Sequence, residues 1–170
     1  GKITITGSLA EHALNANLQL PEHTTTLNLD GQWQNQQWQG QLSDTQLALL
    51  NTVWELQSDV ALRYEANPQH FTVSQHCWEA REKGNLCINA VDYTPEQVNW
   101  DVQASALPIG LWIDELMPDL LVERNKATLN ITTQGNFDPA SEKVAGQLQI
   151  SVSPDKWQLA GNEPVTIDLD

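Results

Sequence analysis

Apolar and polar residues alternate along most of this chain. The clearest stretch runs from Lys143 to Ser153. Val144, Gly146, Leu148, Ile150 and Val152 take one phase, and Lys143, Ala145, Gln147, Gln149, Ser151 and Ser153 the other. Successive side chains of a β-strand point to opposite faces, so this pattern writes one apolar face and one wet face. The same reading holds for Ile3 and Ile5, for Leu14, Ala16, Leu18 and Leu20, and for Leu27 and Leu29. It continues through Leu42, Leu47 and Leu49, through Trp54 and Leu56, and through Val60, Leu62 and Tyr64. Phe71 and Val73 follow, then Leu86, Ile88 and Ala90, then Val98, Trp100, Val102 and Ala104, then Leu129 and Ile131. With Trp157 and Leu159, and Val165, Ile167 and Leu169, the chain holds about a dozen strands.

Turn signals punctuate the pattern. The Trp33 to Trp38 stretch predicts a hairpin turning at Asn35-Gln36, and Asn67-Pro68 predicts another turn. One segment breaks the alternation: Pro108 to Leu121 reads PIGLWIDELMPDLL. Leu111, Trp112, Glu115 and Leu116 have helical spacing; Pro108 suits a first turn and Pro118 a stop. One short helix near 108–117 is expected, either plugging an end or edge of the sheet or connecting two strands.

The fold class expected is all-β, a mostly antiparallel, meandering sheet. Twist accumulates across so many strands, so the sheet must curl, close or split into two layers. A sandwich, a barrel and an open trough all fit the alternation. Short links between successive strands suit a meander better than a Greek key. By length, residues 1–170 are one β-sheet domain. Gly1 falls inside an apparent strand and Asp170 just beyond another, as expected of a segment of a longer, repetitive protein.

Charge narrows the partners. The chain has 22 Asp and Glu against 8 Lys and Arg, a net charge of -14. Phosphate backbones repel such a surface, so no nucleic-acid partner is expected. Adsorption to anionic lipid heads is disfavoured for the same reason. No apolar run approaches the roughly 20 residues of a membrane helix.

Candidate chemistry is sparse. Cys77 and Cys87 are the only cysteines, with Arg81-Glu82-Lys83-Gly84-Asn85 between them as a turn. That arrangement places them on neighbouring strands of a hairpin, within bridging distance. A bridge implies an oxidising compartment such as a periplasm, and two free thiols a cytosolic one. Cys77 is in phase with Phe71 and Val73, while Cys87 is out of phase with Leu86 and Ile88, so a bulge near Gly84 is expected. His70, His76, Cys77 and Cys87 match no strong zinc spacing. His12 and His23 read as plain surface residues.

Glu79, Glu82, Asp114, Glu115 and Asp119 have nothing that fixes their separation, and solvation accounts for them. No GxSxG, GxGxxG or P-loop occurs, and no cofactor is called for. Asn130-Ile131-Thr132 matches a glycosylation acceptor tripeptide. The 7 Trp residues could stack on sugar rings if exposed in a row, or fill a broad groove and cap sheet ends.

A further set of residues resembles a known family. The run Leu29-Asp30-Gly31-Gln32-Trp33 to Trp38-Gln39-Gly40-Gln41-Leu42, then Leu47-Ala48-Leu49 and Trp54, is followed by Cys77-Trp78 and Gly84-Asn85-Leu86-Cys87. Together these are similar to the TamB group of AsmA-like proteins, as is the stretch from Leu107-Pro108 through Leu116-Met117-Pro118 to Gly135-Asn136-Phe137. The resemblance implies a long periplasmic parent anchored in the inner membrane of a Gram-negative bacterium. It implies a U-shaped sheet, the β-taco, with an apolar interior. It further implies a role in moving phospholipids toward the outer membrane, and in outer-membrane protein assembly with the barrel partner TamA. The family offers no catalytic residues.

The function expected is therefore a periplasmic, non-enzymatic segment whose apolar concave face holds phospholipid acyl chains. The residues expected to line it are Ile3, Ile5, Leu18, Leu20, Leu27, Leu29, Val60, Leu62, Val102, Leu129, Ile131, Leu148, Ile150, Val152, Ile167 and Leu169. Two alternatives are a chaperone-like edge that binds strands of outer-membrane protein clients and a carbohydrate-binding sandwich.

Overall fold

The computed structural model describes residues 1–19, 24–49, 52–81, 83–109, 127–153, 156–159 and 165–168. Twelve strands form one antiparallel sheet. They are β1 (Lys2–Gly7), β2 (Glu11–Gln19), β3 (Thr24–Gln34), β4 (Gln37–Leu49), β5 (Thr52–Leu56) and β6 (Val60–Ala66). The others are β7 (Gln69–Val73), β8 (His76–Ala80), β9 (Asn85–Tyr93), β10 (Val98–Pro108), β11 (Thr128–Asp138) and β12 (Lys143–Val152). Strands β13 (Lys156–Leu159) and β14 (Val165–Asp168) pair with each other in a separate two-stranded sheet.

The topology is a meander. Strands β5 and β6 lie end to end along β4, whose Leu49 opposes Thr52 and whose Leu42 opposes Val60. Strands β7 and β8 likewise lie end to end along β9. These two collinear pairs reduce the twelve strands to ten rows, each hydrogen-bonded to its neighbour in chain order. Among the described residues, strands β1 and β12 each pair on one side only, so the described sheet is open at two edges.

Local chemistry explains the turns. Asn35 (φ 52°) and Gln36 (φ 62°) both adopt the left-handed conformation that a two-residue hairpin turn demands of its central residues. Trp33 and Trp38 face each other across that turn, as expected from their spacing.

The strict alternation fails at four places, and each failure is a bulge or a break. In β4, Ser43 opposes Asn28 but Gln46 opposes Thr26, so one extra residue is inserted. Asp44, at φ 41°, sits in this bulge. Leu42 and Leu47, five residues apart, consequently share a face. In β9, Ile88 opposes Val102 and Ala90 opposes Asp101, leaving Asn89 unopposed. The expected grouping of Leu86, Ile88 and Ala90 is thus corrected: Val91 and Tyr93 continue the apolar phase, and Ala90 is exposed on the other face. In β10 the register shifts between Ala104 and Leu107, around Ala106 at φ 52°. The fourth failure is the gap Ser74–Gln75 between β7 and β8, which brings Val73 and His76 into phase.

That last break replaces the bulge expected near Gly84. Cys77 lies opposite Cys87 on the polar face, while Trp78 and Leu86 face each other on the apolar side. The two sulfurs form a disulfide, with Cα atoms 4.0 Å apart.

The buried core gathers at one end of the strands. Trp54, Trp78, Ala80, Ala104 and Leu107 form its centre, with Leu42, Leu47, Leu56, Leu86, Leu129 and Ile131 packed against it. Pro108, expected to open a helix, is instead the last residue of β10, opposite Thr128. The rest of that segment, from 110 on, lies outside the described residues, as do Leu20 and Leu169.

Candidate functional site: one apolar face

Register places the expected lining residues on a common face. Ile5, Leu14, Leu29, Leu42 and Val60 follow one another across five rows. Ile3, Ala16 and Leu27 form the neighbouring line, and Leu18 opposes Thr25 beyond them. Leu62 faces Val73. Across the second half, Val102, Thr133 and Leu148 align, as do Ala104, Ile131 and Ile150, and Leu129 with Val152. Ile167 lies in β14, outside the twelve-stranded sheet.

Exposure along this face is uneven. Val60 is fully buried and serves packing. Leu27, Leu29, Leu62, Val102, Leu129 and Ile131 are half-buried. At the edges the face is open: Ile5 is 74% exposed and Leu148 66%, and Ile3, Ile150 and Val152 are exposed as well. Trp54 and Trp78, at 7% and 8%, mark the closed end. There the Trp54 indole N–H and the Thr52 hydroxyl are buried with no hydrogen-bond partner among the described residues.

The opposite ends of the strands carry an aromatic line that the alternation alone did not reveal. One unbroken register line runs Trp33, Trp38, Tyr64, Phe71, Tyr93, Val98, Phe137, Val144. Pairwise spacing from each turn was the available signal, because Trp33, Tyr93 and Phe137 are each the last apolar-face strand residue before a turn and Tyr64 is followed on that face only by Ala66. Trp38 lies flat over its neighbours. Any Cβ at Gly40 would collide with its ring, and one at Gly31 would come 2.8 Å from its Nε1. These two glycines face each other and supply the close approach the indole needs. The Trp38 Nε1–H donates to His12 Nε2 at 3.0 Å, with the two ring planes 14° apart. His12 is therefore a packed partner and not the plain surface residue expected. With Trp38 laid down, the rings of Trp33 and Tyr64 meet across its row, 6.2 Å apart. Trp100 likewise covers Gly135 and donates to Thr133 Oγ1 at 3.1 Å.

An exposed Trp row for sugar stacking is not what these residues form. Among the described tryptophans only Trp33 is more than a third exposed. A broad depression of about 1140 Å³ does exist, but on the polar face of the first rows, lined by Glu11, Asp30, Gln32, Gln39, Gln41 and Arg63 among others.

Ionisable groups on the polar face pair locally. Arg63 meets Glu65 at 2.9 Å, His70 meets Asp92 at 2.7 Å, and Arg81 meets Glu55 at 2.8 Å. Such solvent-exposed pairs contribute little. His70 points to the polar face and His76 to the apolar one, and both cysteine sulfurs are consumed in the disulfide. Among the described residues no group of three His, Cys, Asp or Glu could hold a metal ion. Asp138 has its carboxyl held below its usual value of 3.8, chiefly by the hydrogen bond from the Ser141 hydroxyl, then by the backbone N–H of Ser141. Asn130 Oδ1 accepts the N–H of Ala106, which ties the acceptor tripeptide to the β10 bulge.

Among the described residues no helix is long and apolar enough to cross a membrane. No solved structure matches the chain. Residues 1–170 match the family model described as TamB, N-terminal domain. TamB proteins are periplasmic, anchored in the inner membrane of Gram-negative bacteria, and associate with TamA in the translocation and assembly module. The match spans the whole length of an antiparallel sheet whose register brings its apolar residues to one face, and on that footing the chain belongs to the TamB family.

Proposed function

We propose that this segment is a single β-sheet unit of a longer periplasmic scaffold, and that its apolar face holds phospholipid acyl chains on their way between the two membranes. One observation carries the reading. A single face is apolar through ten rows yet stays open at Ile3, Ile5, Leu148 and Ile150. Apolar area left in water is unfavourable by about 25 cal/mol per Å², and acyl chains laid across the strands would remove it. A contiguous patch of this kind on a folded chain marks a binding surface. The disulfide suits the periplasm. Through its parent, the segment would support outer-membrane protein assembly with TamA.

Photo-crosslinkers at Leu148 and Ile150 test this reading, with Gln147 and Gln149 on the opposite face as controls. Phospholipid adducts are expected at the first pair only. Equal yield at all four positions would sink the idea of a lipid-bearing face.

A second reading draws on the free edges of β1 and β12, whose unpaired backbone groups could accept a client β-strand by strand addition. It predicts crosslinks to nascent outer-membrane barrel proteins along the outer edge of β12, irrespective of which face the probe occupies.

A further inference from the structure

The apolar face is graded along the strand direction. In β9 the sequence of apolar-face residues from the turn inward is Tyr93, Val91, Ile88, Leu86, and in β6 it is Ala66, Tyr64, Leu62, Val60. Strands β3, β4, β6, β7, β9 and β11 thus present an aromatic ring toward this end, with aliphatic side chains behind it and, in the interior rows, the closed end at Trp54 and Trp78. The turns beyond the rings are polar: Asn35-Gln36 and Asn67-Pro68 carry no charge, and the β9–β10 and β11–β12 turns are acidic. Glu96, Asp138 and Glu142 stand there against Lys143. Asp138 is held ionised by Ser141.

Resting on the lipid reading above, we infer that the aromatic line is an orientation track for a zwitterionic, amine-bearing amphiphile. Its ester zone would lie against Trp33, Tyr64 and Tyr93, its ammonium group toward the acidic turns, and its chains toward Leu62, Ile88 and Leu86. Three physical facts support the assignment. Tyr and Trp combine an apolar body with a polar tip, and they favour the boundary where hydrocarbon meets water. Trp33 (41% exposed) and Tyr93 (38%) are the described aromatics open to solvent, so they are reachable. Charge decides between heads: a chain of net charge -14 with acidic turns repels an anionic head and favours one that carries a cation. The opposite orientation would press the head against the buried Trp54 and Trp78 cluster.

Two photoactivatable phosphatidylethanolamines test the inference on the full chain. One carries its diazirine beside the glycerol, the other at the chain terminus. The glycerol-side probe is expected to label the peptides of Trp33, Tyr64 and Tyr93, and the terminal probe those of Leu86 and Ile88. Even labelling by both, or a reversed pattern, overturns the orientation while leaving the lipid-bearing face intact. No labelling by either overturns that face and the inference together. The paired substitution Tyr64→Leu with Tyr93→Leu keeps the area apolar and removes both hydroxyls. It should cut glycerol-side labelling roughly three- to tenfold and leave terminal labelling unchanged. The same glycerol-side probe on phosphatidylglycerol should label several-fold less. Equal yields would overturn the amine assignment.

Discussion

Strand β12 and the rows from β4 to β10 obey the same sequence rule and reach opposite outcomes. All ten residues of β12 are exposed, although its alternation is the cleanest in the chain. The interior rows break their alternation at Asp44, Ser74–Gln75, Asn89 and Ala106, yet they hold the buried core. Regular alternation builds a straight, repeatable row. Closing an apolar face over itself requires local twist and bending, which inserted residues supply. Irregularity in this protein therefore marks where the face is covered, and regularity marks where it is open.

The sharpest way to break this comparison is to truncate one large side chain in each region. Trp78→Ala should cost about 3–5 kcal/mol in denaturant unfolding, whereas Leu148→Ala, on the same face in an open row, should stay within about 0.5 kcal/mol. Comparable losses would mean that β12 is covered in solution. A smaller effect concerns the polar side of the interior rows. Cys77→Ser combined with Cys87→Ser should lower stability by about 2–3 kcal/mol, and reductant should do the same to the parent protein but not to the double variant.

The smallest effect lies at the β11–β12 turn. The Asp138 carboxyl sits below its unfolded value, so its contribution is present above the ordinary carboxylate range and is lost as pH falls through the depressed value. Asp138→Ala should lower the unfolding midpoint slightly at pH 7. The difference should vanish once the pH is well below 3.8.

Much of this arrangement was legible in the residues. Alternation located the strands, the Asn35-Gln36 turn and the face shared by Ile5, Leu29 and Leu148. The cysteine spacing located the β8–β9 hairpin. What alternation could not supply was the phase across a bulge. Ala90 follows Leu86 and Ile88 in perfect step, yet Asn89 turns it outward, because register is decided by the partner strand and not by the strand itself. The aromatic line escaped for the same reason. Trp33 and Phe137 lie over a hundred positions apart in sequence, and only the sum of six pairings puts them on one line. His12 escaped because its partner, Trp38, reaches it by lying over two glycines.

The disulfide has a mechanical consequence. Tension applied across the rows of the sheet is carried by the interstrand contacts as links in series. At the two rows built of half-length strands each seam is divided: β5 meets β8 through three aligned pairs beside five between β6 and β7, and β7 meets β9 through three beside four between β8 and β9. The Cys77–Cys87 bond joins β8 to β9 within the second of these seams. Tension across the β8–β9 seam is thus carried by a covalent bond, and β8 and β9 cannot part while the disulfide is intact.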